Sequence, residues 1–161
     1  MGVFTFTDEY TSPLPPARIF KALILDSENL IPKLMPQAVK SIQIVQGDGG
    51  AGSIRQINFA EGNIAHSTYN RIDEINAETY TYKYTLIEGD ALMGKLEKIA
   101  YEVQFVPSPG GGTISKMTSK YYTLSDDVVI GEEELKDGKE KAIGMYKVVE
   151  DYLIKNPDAY A

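Results

Sequence analysis

The 161-residue sequence contains no cysteine, no tryptophan and a single histidine, His66. Without cysteine there is no disulfide framework, which fits a reducing compartment. A zinc site normally needs three or four clustered nitrogen or sulfur ligands, so one histidine among scattered carboxylates does not predict a metal. No serine stands in a nucleophile-elbow pattern either. We therefore expect no metal, no cofactor and no chemistry at His66.

Positive charge and long apolar runs are also scarce. The 16 lysines and arginines are outnumbered by 23 aspartates and glutamates, which gives a net charge of −7. An acidic chain does not neutralise phosphate, so we expect neither nucleic acid nor an anionic membrane as a partner. No apolar run reaches membrane-spanning length, and the N-terminus lacks a signal-peptide pattern. These features predict a soluble, cytoplasmic protein with a single domain over residues 1–161.

The periodicity of apolar residues predicts seven strands and three helices. Two short helical patterns, 17–25 and 27–34, follow the first strand, and a long helix is predicted over 132–154. Tight turns between successive strands imply antiparallel neighbours, and helices segregated from a run of strands indicate the α+β class. The strands are predicted over Val3–Thr11, Val39–Gln46, Ser53–Ala60, Ile64–Ile75, Glu78–Ile87, Leu96–Val106 and Thr113–Leu124.

The long helix carries an apolar stripe that two glycines interrupt or border. Gly138 lies on or beside the stripe and Gly144 lies inside the helix, and each glycine costs about 1 kcal/mol relative to alanine. Glycines placed at this cost predict either that another group approaches the helix closely there or that a space beside the helix must stay open. The stripe consists of Leu135, Ala142, Met145, Val149 and Leu153.

Two motifs suggest chemistry but have simpler explanations. The segment Gly47–Gly52 has the spacing G-x-G-x-x-G, which binds dinucleotides only where the loop opens a helix. Residues 53–60 alternate like a strand, so we predict a hairpin loop instead. The acidic run Glu132–Glu134 stands at the predicted start of the long helix, where it compensates the helix dipole rather than binding a metal.

Tyrosines recur at alternate positions of one predicted strand. Tyr80, Tyr82 and Tyr84 should share the face directed toward the long helix, and Tyr101 should join them from the next strand. The intervening residues, such as Thr81 and Thr85, should face solvent. A buried phenol needs a partner for its hydroxyl, so the tyrosines either bond to protein groups or line a wet cavity. The residues alone favour core packing over a pocket.

Several stretches together resemble the major birch pollen allergen family, the intracellular class-ten pathogenesis-related proteins of plants. The resemblance covers essentially the whole chain, with the glycine-rich loop, the IEGD turn and the KYYT strand in the family's order. It implies the helix-grip fold, in which a curved seven-stranded antiparallel sheet surrounds a long C-terminal helix above two short helices. The stretches are MGVFTF, LPPARIFKALILDSENLIPKLMPQAVKS, GDGGAGSIRQINFAEG, RIDEIN, YTLIEGDAL, LEKIAYEV, GGGTISKMTSKYYT and KEKA with VEDYLIKNPDAYA.

The resemblance implies a plant defence and stress protein that binds amphipathic molecules such as flavonoids, cytokinins and fatty acids in a large apolar cavity. Many members of that family are food or pollen allergens, so we expect an allergen, and we also expect a monomer. The resemblance changes the interpretation of the tyrosines and the helix glycines from core to pocket. Where relatives often carry Phe near Leu23 and Ile31 and Asp at Asn70, this chain is less aromatic and less acidic. The implied pocket residues are Leu23, Ile31, Arg55, Ile57, Phe59, Asn70, Tyr82, Tyr84, Ile87, Ile99, Tyr101, Gly138, Ala142 and Met145.

Catalytic relatives supply two alternative functions. Alkaloid-condensing relatives use a pocket lysine, whose position here is Tyr82, so the amine for that chemistry is missing. Ribonuclease activity would use Glu97, Glu150 and Tyr152, but positions 150 and 152 lie about 200° apart around a helix. Hormone receptors of this fold use SGLP and HRL strings to modulate a phosphatase, and neither string occurs. We therefore predict no catalytic residues.

Overall fold

The computed structural model describes residues 2–60, 67–89, 92 and 94–161, except for the side chains of residues 132, 134, 135, 137–139 and 141. In that part of the chain, seven strands and three helices form the fold. The strands are β1 (Val3–Ser12), β2 (Val39–Gln46), β3 (Ile54–Phe59), β4 (Ser67–Asn76), β5 (Thr81–Gly89), β6 (Leu96–Pro107) and β7 (Thr113–Thr123). The helices are α1 (Pro16–Phe20), α2 (Ser27–Leu34) and α3 (Glu132–Lys155).

All seven strands belong to one antiparallel sheet with the order β1-β7-β6-β5-β4-β3-β2. Strands β2 to β7 pair in chain order, as expected for strands joined by short turns. Strand β1 pairs with β7, so α1 and α2 connect the two edge strands of the sheet. The α+β class and the seven-stranded antiparallel sheet are confirmed. None of the helices described reaches the length and apolarity needed to cross a membrane.

The first predicted helix changes its geometry halfway. The chain enters α1 through Pro15 and Pro16, whose fixed backbone angle suits a helix start. Helix α1 ends at Phe20, and Lys21–Leu25 continues as a π-helical turn. Within that turn, the amide of Asp26 donates to the carbonyl of Lys21 at 3.0 Å, a bond that spans five residues. Side-chain periodicity did not predict this turn, because it reports which face is apolar and not which carbonyl each amide selects.

The apolar core is divided into two clusters. The larger cluster packs the C-terminal half of α3 against α1 and α2, with Val149 and Leu153 only 1% and 0% exposed. Phe20 and Phe105 meet there edge to face, with ring centroids 6.3 Å apart. The smaller cluster lies at the other end of the sheet and consists of Leu86, Leu96, Ile99 and Ile130. Tyr84 packs against the larger cluster and Tyr101 against the smaller one, so the two clusters adjoin at these two rings.

The glycine-rich segment is a hairpin loop, as predicted. It joins β2 to β3, which pair antiparallel, and it opens no helix. The loop satisfies its own amides, because the amide of Gly49 donates to Ser53 Oγ at 2.9 Å and that of Gly50 donates to Asp48 Oδ1 at 2.9 Å. Gly47 has φ +91°, and a Cβ there would stand 2.3 Å from Ser53 Oγ. Glycine is required at that position for both reasons.

One predicted strand begins later than its alternation suggested. Strand β5 starts at Thr81, and Tyr80 lies in the preceding turn with φ 54°, so the prediction that Tyr80 shares a strand face is wrong. The cause is Asn76, whose Oδ1 accepts hydrogen bonds from the amides of Glu78 and Thr79 at 3.0 and 3.1 Å. Such a side-chain cap stabilises a turn in place of the strand ladder.

The outer face of β5 is less exposed than predicted. Thr81 and Thr85 are only 6% and 3% exposed, so the expectation that both face solvent is wrong. The Thr85 hydroxyl lies beside the Arg71 and Asp73 side chains of β4, which form an ion pair at 2.7 Å and cover it. A strand in the middle of a sheet is shielded by its neighbours even on the solvent side.

Gly144 offers a simple test of the helix. A Cβ added there would meet no atom within 4 Å. We expect Gly144→Ala to raise the free energy of unfolding by about 1 kcal/mol, because glycine has the poorest propensity of the ordinary residues in a helix interior. Urea denaturation followed by circular dichroism measures the change. Gly47→Ala is the matched control, and its Cβ clash and positive φ should make it destabilising; equal effects of the two alanines would contradict both assignments.

Candidate functional site

Three tyrosine rings form a stacked row on the concave face of the sheet. Tyr82 and Tyr84 alternate along β5, and Tyr84 pairs directly with Tyr101 of β6. The Tyr82 and Tyr84 rings stack with centroids 5.0 Å apart and 28° between planes, and the Tyr84 and Tyr101 rings with centroids 4.8 Å apart and 21°. The predicted shared face of these three residues is therefore confirmed.

The three tyrosines differ in what surrounds them. Tyr82 is 3% exposed and belongs to the larger core cluster, whereas Tyr84 and Tyr101 are only half-buried. Burial raises the pKa of Tyr84 and of Tyr101 well above the ordinary value for tyrosine. Both phenols consequently remain neutral at physiological pH and can donate a hydrogen bond. Both residues nevertheless keep some accessible surface.

Arg55 connects the tyrosine row to the short helices. Its Nη2 donates to the Tyr82 hydroxyl at 2.8 Å, and its Nη1 donates to Ser27 Oγ at 2.7 Å. The guanidinium carbon also lies 5.5 Å from the centroid of the Tyr82 ring, within cation–π distance. Arg55 is only 8% exposed, so β3, β5 and the start of α2 meet around a buried cation.

Ser27 is a site residue that the sequence did not reveal. As the first residue of α2 it resembles a helix cap, but no side-chain cap bond forms there. Its hydroxyl instead donates to the carbonyl of Ile24 at 3.3 Å and accepts from Arg55. The partners are 28 positions apart in the chain, and no local pattern signals such a pair.

Two buried polar atoms next to this network have no hydrogen-bond partner, Arg55 Nε and Asn70 Oδ1. Asn70 is 5% exposed and pairs directly with Arg55 across β3 and β4, so the two side chains share the concave face. Buried polar atoms of native proteins are normally bonded, so each such atom requires an explanation.

The other predicted pocket residues are distributed unevenly. Ile31 and Ile99 are 1% and 3% exposed and belong to the larger and smaller clusters, so they support the walls and offer almost no free surface. Leu23 lies against Tyr146, Val149 and Leu153 of α3, around a packing gap too small to hold a water molecule. Ile87 lies at the bulge where the register of β4 and β5 shifts, and Gly138 falls among the positions whose surroundings are not described. The half-buried members are Ile57, Phe59, Ala142 and Met145.

The residues of the alternative catalytic sets do not converge. Glu97 is exposed at the bulge of β6, whereas Glu150 lies on α3 beside Leu23 and is half-buried. Lys33 Nζ lies 5.5 Å from the centroid of the Tyr152 ring. Within the described ranges, no hydrogen bond or ion pair joins these three candidates, and no three His, Cys, Asp or Glu residues form a metal-binding group. His66 and the side chains of Glu132 and Glu134 lie outside the described residues.

Comparison with known proteins gives close relatives over the full length. The major strawberry allergen Fra a 1.04 of Fragaria ananassa and the major allergen Pru ar 1 of Prunus armeniaca are each 53% identical to the chain over 160 residues, covering 99% of both sequences. The major allergen Mal d 1 of Malus domestica is 52% identical over the same length and coverage. All three of these relatives are named as allergens.

Solved structures show the same fold. The crystal structure of Ara h 8.0201 superposes with a TM-score of 0.87 at 36% identity, covering 96% of this chain and 99% of that one. Norcoclaurine synthase from Thalictrum flavum, solved with dopamine and hydroxybenzaldehyde, has a TM-score of 0.74 at 18% identity over 96% and 88% of the two chains. That likeness concerns the fold alone, although it shows that enzymes also use this helix-grip fold. The profile of the Pathogenesis-related protein Bet v 1 family matches residues 1–156, and the chain therefore belongs to that family.

Proposed function

We propose that this protein binds and carries amphipathic small molecules in a cavity between the concave face of the sheet and α3, without catalysing a reaction. Flavonoids, cytokinins and fatty acids are the ligand classes we expect. The role belongs to plant defence, and we further propose that the protein is an allergen, as its named relatives are. A cytoplasmic location, a monomeric state and a single domain over residues 1–161 complete the proposal.

The main support for this proposal is that the apolar stripe of α3 becomes less buried toward the N-terminus of the helix. Val149 and Leu153 are fully buried, but Met145 and Ala142, which continue the same stripe toward the N-terminus, are only half-buried. On the sheet, the inward residues Tyr84 and Tyr101 likewise keep accessible surface while burial raises their pKa values. Accessible surface on side chains that lie this deep in the fold supports an internal space beside them. Tyr84 packs against the larger cluster and Tyr101 against the smaller one, so this half-buried surface lies where the two clusters meet.

The lining we propose suits molecules that are largely apolar with a few polar substituents. Burial of apolar ligand surface contributes about 25 cal/mol per Å² before the cost of association. The stacked rings of Tyr82, Tyr84 and Tyr101 offer flat surfaces to planar ligands, and the neutral hydroxyls of Tyr84 and Tyr101 can bond to polar substituents. These are the properties of a small-molecule site with apolar walls and few convergent polar groups.

Nothing in the site favours a reaction over binding. The position that carries a lysine in condensing relatives is Tyr82, whose hydroxyl is occupied by Arg55. Burial raises the pKa of Tyr82, an effect that the nearby guanidinium partly offsets. A neutral phenol held by a cation is a poor general base near pH 7. The dispersed ribonuclease candidates give that alternative no support from geometry.

The proposal is tested by displacement of a neutral fluorescent probe, N-phenyl-1-naphthylamine, by a panel of flavonoids, cytokinins and fatty acids. We expect enhanced probe fluorescence on binding and its loss on titration with at least one ligand class. A probe that does not bind would contradict the cavity, and a probe that no member displaces would contradict the ligand classes. Incubation of the same monodisperse sample with RNA tests the non-catalytic part, since cleavage that is lost in Glu97→Gln would establish a nuclease.

A further inference from the structure

Arg55 carries a positive charge that no carboxylate among the described residues neutralises. Its two terminal nitrogens donate to neutral hydroxyls, those of Ser27 and Tyr82. Within the described part of the chain, no carboxylate stands at ion-pairing distance from the guanidinium. The carboxylates that act electrostatically on Tyr82, those of Asp73 and Glu28, belong to exposed residues. A buried cation without a counter-charge is unfavourable, so this arrangement favours an anion beside it.

The unbonded atoms show where that anion would lie. Arg55 Nε is a free donor and Asn70 Oδ1 a free acceptor, and both residues are more than nine-tenths buried. Since Arg55 and Asn70 are direct partners across β3 and β4, their Cβ atoms are about 5 Å apart. A carboxylate between the two side chains can accept a hydrogen bond from Arg55 Nε, whereas Asn70 Oδ1, itself an acceptor, cannot bond to it. The Asn70 amide is uncharged, and a half-turn would present its NH₂ group in place of its oxygen.

We propose that Arg55 and Asn70 form a subsite for the acid group of the ligand, so that the cavity selects amphipathic carboxylates over neutral molecules of the same shape. This inference rests on the proposed binding function and adds the class of ligand to it. The carboxylate accepts from Arg55 Nε and lies against Asn70, while the apolar part extends along the row formed by Tyr82, Tyr84 and Tyr101. Charge-assisted bonds of this kind are the stronger ones, and the guanidinium geometry suits a carboxylate.

The side chain at position 70 decides the net charge of the subsite, which is positive because Asn70 is uncharged. An aspartate at that position would place a negative charge beside Arg55 and neutralise it within the protein. The same substitution would repel a ligand carboxylate while it leaves the apolar walls unchanged. Asn70→Asp therefore separates charge selection from cavity binding, and the new ion pair with Arg55 should preserve the fold.

Isothermal titration calorimetry at pH 7 with 2-naphthoate and methyl 2-naphthoate tests the inference. The two probes share one ring system, and only the acid is charged. An apolar cavity alone would favour the ester, because a carboxylate loses its hydration on entry. We expect the wild-type protein to bind the acid about tenfold more tightly than the ester. Asn70→Asp should weaken acid binding by about the same factor and should weaken ester binding much less, which reverses the preference for the acid.

Gln46→Glu is the matched control, since it adds the same charge at an exposed position of the edge strand β2. This variant should bind both probes like the wild type, because solvent and salt screen an exposed charge. A wild-type protein that binds the ester as tightly as the acid would overturn the subsite but leave the cavity standing. An equal loss of acid binding in both variants would overturn it too, since net charge would then be responsible. Failure of both probes to bind would overturn the subsite together with the proposed function.

Discussion

Arg18→Ala is expected to lower the free energy of unfolding by about 3 kcal/mol, because one guanidinium holds the C-terminal end of the chain. Arg18 Nε donates to the carbonyl of Ala159 at 2.8 Å, and its Nη2 donates to the carbonyls of Leu153 and Asn156 at 2.7 and 2.6 Å. The last carbonyls of a helix have no partner within the helix, and a cation near them also interacts favourably with the helix dipole. Arg18 thus caps α3 from α1.

The size of the expected stability loss in Arg18→Ala follows from the number of hydrogen bonds that Arg18 donates and from their partial exposure to solvent. Hydrogen bonds to charged groups contribute about 1.5 to 3 kcal/mol each, but three bonds from one side chain are not additive and one of them is exposed. Arg18→Lys should recover only part of the loss, because an ammonium group lacks the planar fork. Urea denaturation measures both variants.

Lys21→Ala is the control for this prediction, since Lys21 is an exposed cation in the turn that follows α1. It should change the free energy of unfolding by no more than about 0.5 kcal/mol. Equal losses in Arg18→Ala and Lys21→Ala would refute the capping role. The neighbouring contact from Tyr160 to Asp26 is part of the same attachment, and burial together with that hydrogen bond raises the pKa of Tyr160 to about 12.

The double variant Tyr82→Ala with Tyr84→Ala is expected to weaken binding of a planar flavonoid by about a hundredfold. The loss of each ring removes stacking worth about 0.5 to 1.5 kcal/mol, together with the apolar surface that the ring buries against the ligand. Probe displacement measures the affinity, and thermal unfolding of each variant measures the accompanying loss of stability. Tyr84→Phe keeps the ring and should bind within a few-fold of the wild type.

Tyr122→Ala is the matched control on the opposite face of the sheet. Tyr122 belongs to β7 and packs under the ammonium of Lys98, 4.7 Å from its ring centroid. Its neighbour Tyr121 instead packs against the smaller core cluster, so Tyr122 points away from the proposed cavity. Ligand affinity should be unaffected in this variant. Unchanged binding in the double variant, or an equal loss in Tyr122→Ala, would rule out the tyrosine row as a ligand wall.

Much of the fold follows from local patterns, because periodicity reports which side chains share a face. The alternation of Ile99, Tyr101, Val103 and Phe105 placed β6 correctly, and the spacing of Val149 and Leu153 placed the buried stripe of α3. The glycine-rich segment was assigned to a hairpin because the residues after it alternate. Sequence periodicity failed to predict the backbone where a single side chain stabilises a turn, as Asn76 does at the turn that contains Tyr80.

The sequence by itself determined the class of the fold, the strand order along the meander and the shared face of Tyr82 and Tyr84, since these depend on short spacings along the chain. Tertiary structure alone decided which distant groups meet. The bonds of Arg55 to Ser27 and Tyr82 span 28 and 27 positions, and those of Arg18 to the C-terminal segment span 135 to 141. The unbonded Arg55 Nε and Asn70 Oδ1 are likewise a property of the assembled sheet. Local propensity contains no information about such pairs, because they exist only once the chain has closed around its core.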